Sequence, residues 1–200
     1  DYTVSASFAS PNASEELNQI TATVTLKDDL NYTFANGLSA QFRKGSYIHK
    51  AGASCTAPTA QTLRYNGTER SLVAEGTTSD GTMQYSLNGT DWQTAIPTGK
   101  DSKAYTVWYK VAGDSNHNYT AAQSVDVTID PAAVTVTAEN KSSRVGQPLK
   151  ALTYTCEPAL FGSDAFTGAL ASGAASNTVG TSSITQGTLA LNSNYELTFV

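Results

Sequence analysis

Apolar and polar residues alternate with a period of two over most of this chain, which puts them on opposite faces of extended strands. In Tyr2-Thr-Val4-Ser-Ala6-Ser-Phe8 the even positions are apolar, and Ile20-Thr-Ala22-Thr-Val24-Thr-Leu26 repeats the pattern. Both are predicted as half-buried strands facing one core. Met83-Gln-Tyr85-Ser-Leu87 runs through Asn88-Gly89 into Thr90-Asp-Trp92, which predicts a tight hairpin with Tyr85 opposite Trp92. Ala104 to Val111 sets Tyr105, Val107, Tyr109 and Val111 inward, and Val125, Val127 and Ile129 follow in the next strand. Val134 and Val136 open a further strand, and Leu152, Tyr154 and Cys156 share one face of another. No segment holds a helical period. Glu15 to Gln19 offers at most one turn, and Ser163 to Ser172 reads as small-residue loop.

The pattern recurs. Strands run into loops ending on Asn31-Tyr32, Asn118-Tyr119 and Asn194-Tyr195, and Ile48-His-Lys-Ala51 matches Ile129-Asp-Pro-Ala132. Such internal repetition is the mark of stacked copies of one unit. Three modules are expected: 1–51, the C-terminal part of one; 52–132, a complete one; and 133–200, a module without a closing strand after Val200 and so truncated there. Residues 1–26 also align without gaps to 104–129, which leaves two registers for the first module. Turn signals at Asn36-Gly37, Asn66-Gly67, Asp80-Gly81 and Asn88-Gly89 separate the short strands. The predicted class is all-β: small Ig-like β-sandwich modules in tandem, end to end.

Composition narrows the partners. The chain has 12 Lys and Arg against 17 Asp and Glu, a net charge of −5, with 14% charged and 40% hydrophobic residues. No basic stripe offers a footprint for nucleic acid or anionic lipid, so neither is expected as a partner. No stretch approaches the ~20 apolar residues of a membrane span, and no signal-like segment opens the chain, so a mature soluble fragment is expected. Cys55 and Cys156 fall in different modules, too far apart for a bridge, and Cys156 is read as a small core residue.

Candidate chemistry is sparse. His49 and His117 lack a second ligand at metal spacing, no serine sits in a nucleophile motif, and Asp28 and Asp29 do not converge. Neither catalysis nor a cofactor or bound metal is expected. Asp114-Ser-Asn116-His-Asn118 resembles the start of a calcium loop but lacks its Gly and its bidentate Glu, and is read as an Asx-rich turn. Trp108, Thr106 and Lys110 share the outer side of their strand and form the candidate ligand-facing set. Its indole could stack on a sugar or cover a cross-strand neighbour.

Ala53 to Ala132, with Leu63-Arg-Tyr-Asn-Gly67, Gly81-Thr-Met-Gln-Tyr-Ser-Leu-Asn-Gly89 and Tyr105-Thr-Val-Trp-Tyr-Lys-Val111, resembles the Ig-like repeats of large Gram-positive surface proteins. Val134-Thr-Val-Thr-Ala-Glu-Asn-Lys141, with Leu152-Thr-Tyr-Thr155 and Ile184-Thr-Gln-Gly-Thr-Leu189, is similar to the mostly-β repeats called MBG. The resemblance implies a non-enzymatic, extracellular region, cell-surface or cell-wall attached, that serves as stalk, spacer or adhesion scaffold. A carbohydrate or a host surface protein would be its partner if an exposed sheet face binds, and the chain would be a monomer contacting its own modules. Repeats of this kind sometimes carry Lys-Asn cross-links, but Lys110 is predicted to point outward and Lys27 stands at a loop start.

Overall fold

The computed structural model describes residues 2–8, 10–14, 20–26 and 47–200. Asn31-Tyr32, Asn36-Gly37, Lys27, Asp28, Asp29 and the turn expected at Glu15 to Gln19 lie outside the described residues. Within them the chain forms strands and loops and no helix, so the all-β class stands. It follows that no described helix is long and apolar enough to cross a membrane.

The first strands are β1 (Tyr2–Phe8), β2 (Ile20–Leu26), β3 (Ala51–Gly52), β4 (Thr59–Ala60), β5 (Leu63–Arg64), β6 (Arg70–Ser71) and β7 (Val73–Ala74). Next come β8 (Gly81–Ser86), β9 (Thr98–Gly99), β10 (Ala104–Gly113), β11 (His117–Asn118) and β12 (Gln123–Asp130). After Pro131 follow β13 (Ala132–Ala138), β14 (Tyr154–Glu157), β15 (Ala171–Ser172), β16 (Ile184–Thr185) and β17 (Tyr195–Phe199). The chain divides into two compact units. One takes Asp1–Ala57, Gly76–Gln84 and Tyr109–Gln123, the other Pro58–Glu75, Tyr85–Trp108 and Ser124–Val200. β8 and β10 each carry residues of both.

In the first unit β1 and β2 form an antiparallel ribbon that sets Val4 opposite Val24, Ala6 opposite Ala22 and Phe8 opposite Ile20. The expected pairing of like faces is present, but the expected half-burial fails at Ala6 and Phe8, which are exposed. A two-stranded ribbon buries little apolar surface by itself. Residues 47–50 carry no strand. Ala51-Gly52 instead pairs in parallel with His117-Asn118.

The largest sheet has the order β5-β12-β10-β8. Its alternation follows the sequence: Met83 and Tyr85, then Val107, Tyr109 and Val111, then Val127 and Ile129 are buried, while the residues between them within each strand are not. Tyr105 departs from it. It is half-buried, with its hydroxyl donating to the Asp101 carbonyl at 3.0 Å and the Lys103 ammonium 5.0 Å over its ring.

The tight Asn-Gly hairpin is replaced by a wider loop. Tyr85 pairs with Gln93 through two backbone bonds of 2.7 and 3.0 Å, so Trp92 does not face it and is half-buried rather than core. The cause is local. The buried Ser86 hydroxyl accepts from the Asn88 and Gly89 amides, and Asn88 Oδ1 accepts from the Thr90 and Asp91 amides. Two side chains thereby satisfy the loop's donors, which a two-residue turn would have left to the strand ladder.

The second unit also contains a three-stranded sheet, β14-β13-β17, in which β17 runs parallel to β13 from Ala132 opposite Tyr195 to Val136 opposite Phe199. The sequence reading did not identify β17, which ends before Val200. Ala132, Val134 and Val136 are buried, whereas Leu152, just before β14, and Tyr154 and Cys156 on that edge strand are only half-buried. Both cysteines are free thiols, and burial pushes the Cys156 thiol up.

Candidate functional site

The outer side of β10 carries the set singled out from the sequence, and Thr106, Trp108 and Lys110 are all half-buried there. Thr106 Oγ1 donates to Asp126 Oδ1 at 2.8 Å. The Asn88-Gly89 loop lies on the indole: Gly89 has φ +75°, and a Cβ built there would stand 3.6 Å from Trp108 Cδ2 and Cε2. The tryptophan is thus packed under a turn of its own chain.

A polar cluster gathers around His117 in the first unit. Its Nδ1 lies 2.8 Å from Asp114 Oδ1, which also accepts from the Asn116 amide at 2.7 Å and the His117 amide at 2.9 Å. The segment is the Asx turn expected from the sequence. His117 Nε2 stands 3.9 Å from Asp80 Oδ1. Asp80 is itself held by Ser79 Oγ on Oδ1 and by the Ser54 amide and hydroxyl on Oδ2, each at 2.8 Å. The Ser79 hydroxyl, then the Ser54 hydroxyl and amide, lower the Asp80 carboxyl to about 2. The Asn116 amide, then His117, hold Asp114 below its usual range.

Because the folded carboxyl of Asp80 titrates below its ordinary value, its contribution to stability is present above about pH 4 and is lost as the pH falls toward 2. Asp80→Asn should therefore flatten the fall of the unfolding midpoint across that window. A series of thermal melts at stepped pH checks this; an acid limb identical to the parent's would contradict it.

A second cluster lies in the other unit. Tyr65 and Tyr195 donate their hydroxyls to Asp164 Oδ2 at 2.7 and 2.8 Å, and the Phe161 amide donates to the Tyr195 hydroxyl at 2.9 Å. The Tyr65 ring stands edge-on to those of Tyr195 and Phe161, with centroids 5.3 and 5.9 Å away. The bond to Asp164, then burial, push the Tyr65 hydroxyl up to about 12, and the two tyrosines hold Asp164 below its usual range. The sequence reading missed this cluster. Its members stand about 30 to 130 positions apart in the numbering, and only the phenol-plus-carboxylate chemistry could have hinted at it.

A groove of about 590 Å³ in the first unit is lined by Tyr47, Ile48, His49, Lys50 and Asn118, among others. Tyr47 and His49 stack there, with ring centroids 6.0 Å apart. Among the described residues no group of three or more His, Cys, Asp or Glu is placed to hold a metal ion.

Comparison with known families adds one finding. Residues 134–200 match the family model of the MBG domain (YGX type). This segment, β13 to β17, is similar to that β-rich domain. No curated protein and no solved structure matches the chain.

Proposed function

We propose that this chain is a non-catalytic spacer or display region of an extracellular, cell-surface protein, built from tandem Ig-like and MBG-type β modules with limits near 51/52 and 132/133. One observation carries the reading: the polar and aromatic side chains that most resemble a site are engaged by their own chain. Asp80, Asp114 and Asp164 accept several bonds each from nearby backbone and side chains, and the Trp108 indole lies beneath the Asn88-Gly89 loop. Groups committed in this way stiffen turns and leave no converging donors for a substrate. Two parallel pairings support a repeated modular plan, Ala51 with His117 and Ala132 with Tyr195. Attachment to a Gram-positive cell wall belongs to the same proposal and rests on the resemblance of the sequence.

The alternative reading, a carbohydrate- or host-protein-binding module, draws support from the stacked Tyr47 and His49 in the groove, since exposed rings are platforms for sugars. A panel of oligosaccharides and extracellular matrix proteins, titrated against the immobilised chain, separates the two. The spacer reading expects no saturable binding. Saturable binding lost on Tyr47→Ala would favour the groove, and binding lost on Trp108→Ala would favour the face of β10.

A further inference from the structure

Two turns far apart in the sequence make the same set of contacts. In the first, Asp114 Oδ1 accepts from the Asn116 amide; in the second, Asn192 Oδ1 accepts from the Asn194 amide at 3.0 Å. Asn116 Oδ1 accepts from the Ala13 amide at 2.9 Å, and Asn194 Oδ1 from the Ser102 amide at 2.7 Å. Asn116 Nδ2 donates to Asn12 Oδ1, and Asn194 Nδ2 to Asp101 Oδ1, both at 3.2 Å. The Asn116 carbonyl accepts from the Ala51 amide at 2.8 Å, and the Asn194 carbonyl from the Ala132 amide at 2.9 Å. Those two alanines close the repeated Ile-x-x-Ala segments.

The structural repeat is therefore Asp114-Ser-Asn116-His117 with Asn192-Ser-Asn194-Tyr195, two residues earlier than Asn118-Tyr119. Strand pairing agrees, since Ala51 stands opposite His117 and Ala132 opposite Tyr195. Asn12-Ala13 precedes β2 as Asp101-Ser102 precedes β10, which favours the Asn-Tyr register over the gapless one for the first module. Asp29-Leu-Asn31-Tyr32 has a related spelling but lies outside the described residues.

We propose that this Asx-Ser-Asn turn is a docking surface whose partner is the preceding β module of the same chain. It recognises two features of that module: an Asx-X dipeptide before a strand, read by the Asn amide group, and the alanine amide where the connecting strand begins. The amide group is suited to the task because it accepts through Oδ1 and donates through Nδ2 at once. A carboxylate cannot do both. The inference rests on the tandem-module part of the proposed function and not on the spacer role.

The two copies differ in a way that makes the test sharp. Asn194 faces the Asp101 carboxylate, which cannot donate, whereas Asn116 faces Asn12, whose amide can turn to present its own Nδ2. Hydrogen exchange read by NMR on the full chain follows each contact directly. In Asn194→Asp two carboxylates meet, so exchange at the Ser102 and Ala132 amides should rise about tenfold or more, while the Tyr85 and Thr167 amides stay protected. Those reference amides bond to Gln93 and Ala190. Asp101→Asn should change little, and the double variant Asn194→Asp with Asp101→Asn should restore slow exchange through the reversed donor. Asn116→Asp should raise exchange at Ala13 and Ala51 by less than about threefold.

Unchanged exchange at Ser102 and Ala132 in Asn194→Asp, or a double variant no better than that single one, would overturn the proposal. Should Asn194→Asp fail to fold, the double variant alone decides, because folding and slow exchange must return together. Saturable sugar binding would overturn the spacer reading and leave these exchange rates as expected, so the two failures are distinguishable.

Discussion

Gly81→Ala should lower stability by about 3 kcal/mol or more. Gly81 has φ +148°, a conformation closed to side chains, and a Cβ there would lie 2.1 Å from the Ala112 carbonyl oxygen and 2.9 Å from Gly113 Cα. Both obstacles are backbone atoms of β10, so a rotamer change cannot relieve the overlap. The cost combines torsional strain with displacement of one strand from another. For a chain of this length the unfolding midpoint should fall by roughly 6–12 °C. Gly52→Ala is the control: its added Cβ meets nothing within 4 Å, and a shift of the same size there would contradict the argument.

Asp164→Ala should destabilise by about 2–4 kcal/mol, since it removes the shared acceptor of two hydroxyls. Tyr65 and Tyr195 are 4% and 8% exposed, so water replaces the lost carboxylate poorly. Asp164→Asn should cost less, because its carbonyl still accepts one bond. The pH dependence carries a sign at each end. Asp164 titrates below its ordinary value in the folded chain, so its contribution is present above about pH 4 and is lost as acid protonates it. Tyr65 is pushed up to about 12, so its contribution is whole below about pH 10 and declines between about 10 and 12 as the unfolded phenol ionises first. Chemical denaturation of the parent and both variants, from acid to alkaline pH, reads each limb. An Asp164→Ala protein that loses as much stability as the parent between about pH 10 and 12 would show that the carboxylate is not the chief cause of the Tyr65 shift.

Strand identity was legible wherever burial on one face imposes a period of two. Val107, Tyr109 and Val111 show it, as do Ala132, Val134 and Val136, because a slip of one residue would expose every apolar side chain. The same signal is present in Tyr195, Leu197 and Phe199 of β17, which begins within an Asn-Tyr that also ends a loop. The Asn88-Gly89 loop failed for another reason. Asn-Gly permits a tight turn but does not require one, and the Ser86 and Asn88 side chains supply competing partners for the loop amides. Phe8 and Cys156 mark a third limit, since alternation tells which residues share a face but not whether another layer covers it.

The candidate site was legible only in its local part. Asp114 to Asn118 was recognised as an Asx turn because an Asp side chain reaches amides two and three residues ahead in any context. What that turn holds could not be read from its letters. Ala13, Ala51 and Asp80 arrive from distant positions, as do Tyr65, Asp164 and Tyr195. The sequence by itself determined an all-β chain and its main strand faces, since these follow from near-neighbour periodicity and turn chemistry. Tertiary structure alone decided the parallel pairing of β13 with β17 and the two polar clusters, because hydrogen bonds between remote segments depend on which strands the fold lays side by side.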